Sequence, residues 1–307
     1  MQPRLSVIIT FYNQREYVKT AVDSVLAQRP LGLDVIAVDD GSTDGTSDAL
    51  AEYGDSLRTI VLPRNSGVSA ARNAGVAAST GEYLAFLDGD DAFMPWTLDV
   101  YEKLLEAKAP MVLVGRRHYF EGLIPRPPAR PREISFVEYE DIFEKDRSHG
   151  PAFTTLVIRR SEWEAMDGLP PGGLVPGVPA SLEELDFLWK LGESGPLVFI
   201  LDPSTTLYRV HPAQAVQQYE KMMAATWVLC TREREGRYPG GRRRRFERRA
   251  AVGGQVIYWS REGVAHGIFR PSLRLLTKNG DFALASVTLR LRRLLVGQRA
   301  PQVLPLG

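Results

Sequence analysis

Tyr83-Leu84-Ala85-Phe86-Leu87-Asp88-Gly89-Asp90-Asp91 decides the fold of this 307-residue chain. An apolar run stops abruptly at three carboxylates. A strand covered on both faces reads as unbroken hydrophobicity, and open α/β sheets collect ligands just beyond the carboxyl ends of their strands. The acids therefore stand where such a sheet does its chemistry. Asp88, Asp90 and Asp91 repel one another unless protonated or shared by a cation, and hard oxygen ligands suit Mg²⁺ or Mn²⁺ carrying a diphosphate. A solvated acidic turn is the competing reading, and what else converges there decides between them.

Outward from this junction, strand-like runs alternate with helix-like stretches. Leu5 to Phe11, Asp34 to Val38, Arg58 to Leu62 and Tyr83 to Leu87 read as strands. Between them, Tyr17, Val18, Ala21, Val22, Val25 and Leu26 recur at helical spacing, as do Val68, Ala71, Ala74 and Ala78. Repeated βα units predict a mostly parallel, doubly wound α/β sheet. Further strands are expected at Met111 to Gly115 and Phe153 to Ile158, and helices at Glu162 to Met166 and from Ser181, as cap, to Leu191. The loops from Arg116 to Pro131 and Gly168 to Pro179 carry no readable code; the proline- and arginine-rich stretch Pro125 to Arg132 reads as a stiff surface connection and Gly168 to Pro179 as a mobile loop over a site. Beyond His211 the pattern turns helical, over Ala213 to Arg234, Arg243 to Arg261 and Leu284 to Leu295. The expected organisation is a domain over 1–212, with a nucleotide-binding part at 1–109 and an acceptor-binding part at 110–212, followed by a basic helical region at 213–307.

Bulk properties narrow the classes. The net charge of +1 gives no global argument for nucleic acid, and no recognition motif accompanies the arginines. The one cysteine, Cys230, excludes an internal disulfide and a cysteine-based zinc site, which fits a reducing cytoplasm. Met1-Gln2-Pro3-Arg4 runs directly into a strand pattern, so no secretory leader is expected, and no segment approaches the ~20 apolar residues of a membrane span.

A second acidic pair, Asp39-Asp40, follows Val35-Ile36-Ala37-Val38. A carboxylate there can accept the N3 proton of uracil or a ribose hydroxyl, and Tyr12, just past the first strand, offers a face for the base. Ser6-Val7-Ile8-Ile9-Thr10-Phe11-Tyr12-Asn13, Val38-Asp39-Asp40-Gly41-Ser42-Thr43-Asp44, Asn65-Ser66-Gly67-Val68-Ser69-Ala70-Ala71-Arg72-Asn73 and Phe86-Leu87-Asp88-Gly89-Asp90-Asp91 resemble, in order and spacing, the successive blocks of family 2 glycosyltransferases, which have the GT-A fold. The resemblance covers roughly the first hundred residues and continues more weakly to about residue 212.

It implies a nucleotide-sugar site lined by Phe11, Tyr12, Asn13, Asp39, Asp40, Asn65, Arg72, Asp88 and Gly89, with Tyr12 and Asp40 on the base. Asp90 and Asp88, with Asp91 adjacent, would serve a divalent Mn²⁺ or Mg²⁺ that bridges the diphosphate. Tyr208-Arg209-Val210-His211-Pro212 resembles the block that ends the transferase domain, and its histidine reaches the metal or diphosphate. Glu183-Glu184-Leu185-Asp186 resembles the family's acidic pair at a helix start, with Glu184 in the position of the base and Asp186 as fallback. The family usually has Asp where Glu184 stands, which moves the carboxylate by about one methylene. A retained base implies single displacement, hence an inverting transferase that moves a sugar from a nucleotide-diphospho-sugar, UDP-linked by expectation, to a saccharide or lipid-linked glycan of the cell envelope. A non-catalytic sugar-nucleotide-binding subunit, which needs no base, and a nucleotidyltransferase, which releases pyrophosphate, are the alternatives.

Arg242 to Arg245, Arg248 and Arg249 precede one expected helix, and Arg290, Arg292 and Arg293 lie among Leu289, Leu291, Leu294, Leu295 and Val296. Basic amphipathic helices settle on anionic membranes. Peripheral contact at the inner face of the cell membrane is thus one reading of this region, and a solvated face or a homo-oligomer contact is the other.

Overall fold

The computed structural model describes residues 4–28, 33–144, 150–170, 172–175, 182–212, 214, 217–296 and 299–306. Ser181, expected as a helix cap, and the 176–179 end of the glycine- and proline-rich loop lie outside them. The first part runs β1 (Leu5–Phe11), α1 (Arg15–Leu26), β2 (Asp34–Asp39), α2 (Thr46–Ala51), β3 (Arg58–Val61), α3 (Val68–Ala78) and β4 (Tyr83–Asp88). β1 pairs in parallel with β2 and β4, and β2 with β3. All four carboxyl ends therefore open on one side. β1 is buried at every position because both sheet faces are covered. Alternate side chains separate the two cores: Val7, Ile9 and Phe11 pack with Val22 and Val25, whereas Ile8 packs with Ile36, Ala71 and Phe86.

The chain continues through β5 (Ala92–Phe93), α4 (Thr97–Lys108), β6 (Val112–Val114), β7 (Arg117–Phe120), β8 (Glu133–Tyr139), β9 (Leu156–Arg159), α5 (Arg160–Ala165), α6 (Glu183–Leu191), β10 (Leu197–Asp202) and β11 (Thr206–Arg209). The helices α7 (Tyr219–Arg234), α8 (Arg245–Ala265), α9 (Phe269–Lys278) and α10 (Gly280–Val296) precede a last strand, β12 (Gln302–Pro305). The large sheet has the order β12-β8-β10-β6-β9-β4-β1-β2-β3, and β5-β11-β7 form a small second sheet. The part of the sheet formed by β1 to β4 is parallel. Beyond β4 the sheet is mixed, because β9 lies antiparallel to both β4 and β6.

Several expected elements shift. Phe153 to Ile158 is not one strand: Phe153–Thr155 make a 3-10 turn closed by the Thr155 hydroxyl on the Ala152 carbonyl at 2.8 Å, and β9 starts only at Leu156. The helix expected from Ala213 begins at Tyr219, and residues 269–278 form a helix that the sequence pattern did not single out. Pro271 sits in its first turn, where a missing N–H costs nothing.

The C-terminal region packs into the sheet. Met222, Val256 and Phe282 share a core cluster with Ile8 and Phe86, and β12 extends the large sheet by pairing with β8. Much of its basic character is consumed in ion pairs. Arg243 and Arg244 hold Glu193, Arg244 also holds Asp141, and Arg249 holds Asp281. Arg248 makes a buried pair with Glu233 at 2.7 Å and donates to the Pro239 and Gly241 carbonyls. Among the described residues no helix is long and apolar enough to cross a membrane.

Candidate active site

The ends of β1, β2 and β4 meet at one cleft. Asn13, at φ 50°, ties the first end to the second: its backbone N–H donates to the Ser42 hydroxyl at 2.8 Å and its Oδ1 accepts from the Thr43 amide at 2.9 Å. Tyr12 stands beside this knot with 44% of its surface exposed, a free face at the mouth of the cleft. Asp39 is fully buried and spent on its own loop, accepting from the Ser42 amide at 3.0 Å and from the Ser42 and Ser47 hydroxyls.

Asp40, expected on the base, is held by the loop that follows β3. Its two oxygens accept the Ser66 and Gly67 amides at 2.7 and 2.8 Å, and Asn65 closes the same loop by accepting from Gly67 at 3.0 Å. Burial pushes the Asp40 carboxyl up, against the pull of the two amides. The loop it pins is the start of α3, and α3 aims Arg72. The buried Arg72 guanidinium reaches Asp88 at 2.7 Å and lies over the Phe153 ring, 4.1 Å from its centroid. Its Nε is a buried donor with no hydrogen-bond partner among the described residues.

The acid turn itself depends on a close approach. The Gly89 amide donates to the Thr10 carbonyl at 2.9 Å, and a Cβ at Gly89 would meet the Phe11 ring at 2.3 Å and Gln14 Oε1 at 2.6 Å. Only glycine fits against Phe11 here. Asp91 is buried; its Oδ1 accepts the Arg209 amide at 2.9 Å, and its Oδ2 lies outside hydrogen-bond geometry with the nearby Thr154 hydroxyl. Burial first, then the charges of Asp90 and Asp88, push the Asp91 carboxyl well above the ordinary range.

Asp90 and His211 meet, with Nε2 2.9 Å from Oδ2. Burial and then the Asp88 charge raise the Asp90 carboxyl, and the hydrogen bond to His211 opposes them. The small sheet makes the meeting possible, because β11 carries Arg209 and His211 back across the acid turn. Arg209 is the residue that sequence reasoning passes over, although it stands in the same block as His211. Its Nε donates to the Asp90 carbonyl at 2.9 Å, its amide to Asp91, and its guanidinium lies 4.4 Å from the Tyr17 ring centroid. Periodicity carries no signal for such a residue.

Of the acids opening α6, Glu183 and Asp186 are buried and Glu184 is partly exposed. Glu184 is pushed up to about 7, first by burial and then by the neighbouring Glu183 charge; Arg72 and Arg117 pull the other way. Arg72 thus acts on both Asp88 and Glu184. Asp186 points into structure instead: it pairs with Lys190 at 2.8 Å and with Arg232, and accepts from the Tyr238 hydroxyl at 3.0 Å. The geometry does not bring it to the acid turn.

A divalent cation fits the residues that do gather there. Among the described residues no three metal-ligating side chains form a ready cage. A cation carried on a diphosphate needs only one or two protein carboxylates, with phosphate oxygens and water completing the shell. Asp90, which meets His211 and whose carboxyl is raised by burial and then by the Asp88 charge, would be the first such carboxylate.

The model of glycosyl transferase family 2 matches residues 6–164, just over half of the chain, and the chain belongs to this family. A glycosyltransferase of Nostoc sp., alr2836, is 37% identical over 121 residues, which cover 38% of this chain and 37% of that protein. The succinoglycan biosynthesis protein ExoO of Rhizobium meliloti is 38% identical over 94 residues, covering 30% and 27%. The chain therefore matches well under half the length of these curated relatives. Among solved structures, S. aureus TarS 1–349 in complex with UDP-GlcNAc superposes with a TM-score of 0.66 at 19% identity, over 92% of this chain and 81% of that one. The mannosyltransferase PcManGT of Pyrobaculum calidifontis, in complex with GDP-Man and Mn²⁺, gives 0.56 at 17% identity, over 95% and 88%. The fold is GT-A.

Proposed function

We propose that this chain is an inverting, metal-dependent glycosyltransferase that moves a sugar from a UDP-linked donor to a hydroxyl of a saccharide or lipid-linked glycan. The observation that carries the reading is Arg72, which pairs with Asp88 at 2.7 Å and whose charge also acts on Glu184, opposing in part the burial that raises it, so that one buried cation stands between the acid turn and the base. In this reading Tyr12 stacks the base, and the loop held by Asp40 keeps α3 and Arg72 in place. Asp90, Asp88 and His211 would hold a divalent cation, which when bound would supply positive charge to offset that of the leaving diphosphate.

Glu184 takes the proton from the acceptor hydroxyl as that oxygen attacks the anomeric carbon. A base raised to about 7 is matched to this work near neutral pH. The bond to the nucleoside diphosphate breaks on the opposite face, so the anomeric configuration inverts. TarS with bound UDP-GlcNAc supports a nucleotide-sugar donor, and the family's presence in succinoglycan biosynthesis supports an envelope polysaccharide as acceptor class.

Product analysis tests the reading. Incubation with UDP-sugars, Mn²⁺ and an oligosaccharide panel is expected to release UDP together with a glycosylated product of inverted configuration. Release of pyrophosphate, or binding without turnover across the panel, would overturn it.

A further inference from the structure

Helix α10 buries one face and leaves the other bare. Phe282, Ala285 and Ser286 are buried, and Gly253 of α8 lets the two backbones approach so closely that a Cβ there would strike the Phe282 carbonyl. On the opposite side Leu284, Val287, Leu291, Leu294 and Leu295 are exposed at helical spacing, Leu294 and Leu295 by 80% and 89%. Exposed Arg290 and Arg292 flank this row. Helix α9 adds exposed Phe269, Leu273 and Leu276.

Charge says what covers the row. Between Phe269 and Val296 stand six basic residues, Arg270, Arg274, Lys278, Arg290, Arg292 and Arg293, against one acid, Asp281. That acid is already paired with Arg234 and Arg249. A second copy packed face to face would set Arg290 and Arg292 against their own equivalents with no free carboxylate from these helices between them. A sheet of anionic headgroups over hydrocarbon matches both the row and its flanks. We propose that the outer face of α10 docks on an anionic lipid bilayer, with the helix lying in the plane of the headgroups.

Co-sedimentation of the full chain with vesicles tests this independently of any transfer reaction. The chain is expected to pellet with phosphatidylcholine–phosphatidylglycerol vesicles, less so at high salt, and to remain in solution with phosphatidylcholine alone. The paired change Leu291→Glu and Leu294→Glu is expected to weaken binding about tenfold or more, and Arg290→Glu with Arg292→Glu to do the same while removing much of the salt dependence. Both pairs lie on exposed positions and should leave the melting temperature unchanged. If the leucine pair fails to fold, the arginine pair and the lipid comparison still decide. No binding to anionic vesicles, or a dimer in light scattering that the leucine pair dissolves, would overturn the proposal in favour of a second copy.

Discussion

Nε2 of His211 lies 2.9 Å from Oδ2 of Asp90, across 121 residues of chain, because β11 folds back beside the acid turn. This contact opposes the burial and the Asp88 charge that raise the Asp90 carboxyl. His211→Ala is expected to increase the Mn²⁺ concentration needed for half-maximal activity about tenfold or more, as losing a group that orients or shares a metal ligand does. Titration of activity with Mn²⁺ checks it, and an unchanged midpoint would detach His211 from the cation.

Glu184→Gln separates chemistry from stability. As a general base Glu184 contributes about 10²-fold or more, so turnover should fall by that amount with donor affinity preserved. The wild-type rate should rise with pH through about 7, since the base must be ionised.

The same shift has a stability sign. The folded carboxyl titrates near 7 and its reference value is 4.5, so the folded state holds the proton more firmly. Ionisation therefore destabilises the fold progressively from pH 4.5 upward, fully above about 7. Glu184→Gln should gain on the order of 2 kcal/mol at pH 8 and nothing near pH 4. Urea unfolding at the two pH values reads this directly; a variant less stable at pH 8 would contradict the burial argument.

Asp40→Ala removes the clamp on Ser66 and Gly67 and leaves two amides unpaired. A cost of about 2–3 kcal/mol in unfolding free energy is expected, together with a raised KM for the donor, because α3 no longer aims Arg72. A change in stability with donor KM untouched would confine Asp40 to the fold.

Gly89→Ala places a methyl 2.3 Å from the Phe11 ring. The acid turn must move, so activity should fall at saturating Mn²⁺ by much more than the melting temperature suggests. The double change Gly89→Ala with Phe11→Leu should recover part of the loss.

The βα alternation, the acid turn and the family's blocks were legible because each is local: apolar runs of strand length, small residues at turns and carboxylates at strand ends. The choice of Glu184 as candidate base rested only on its block, since three acids opening a helix look alike in sequence. The structure separates them by surroundings. Asp186 is paired with Lys190 one turn along α6 and with Arg232, and accepts from Tyr238, the last two brought in from elsewhere in the chain, whereas Glu184 keeps an open side and a raised carboxyl. The pairing of Arg244 and Arg248 was not legible for the same reason: their carboxylate partners Asp141, Glu193 and Glu233 stand in other elements.

By itself the sequence determined the parallel half of the sheet and the acids at its edge, because burial on both faces demands continuous hydrophobicity and a buried strand must end where polar residues begin. Only the tertiary structure decided which of those acids are spent on the fold and which face the cleft. Asp39 and Asp40 are consumed by hydroxyls and amides, Asp91 by the Arg209 amide, and Asp90 meets His211. A carboxylate's role is set by what burial and its nearest charges do to its proton, and for Asp88, Asp90 and Asp91 the distant neighbours come from α3 and from β11 with the residues just after it.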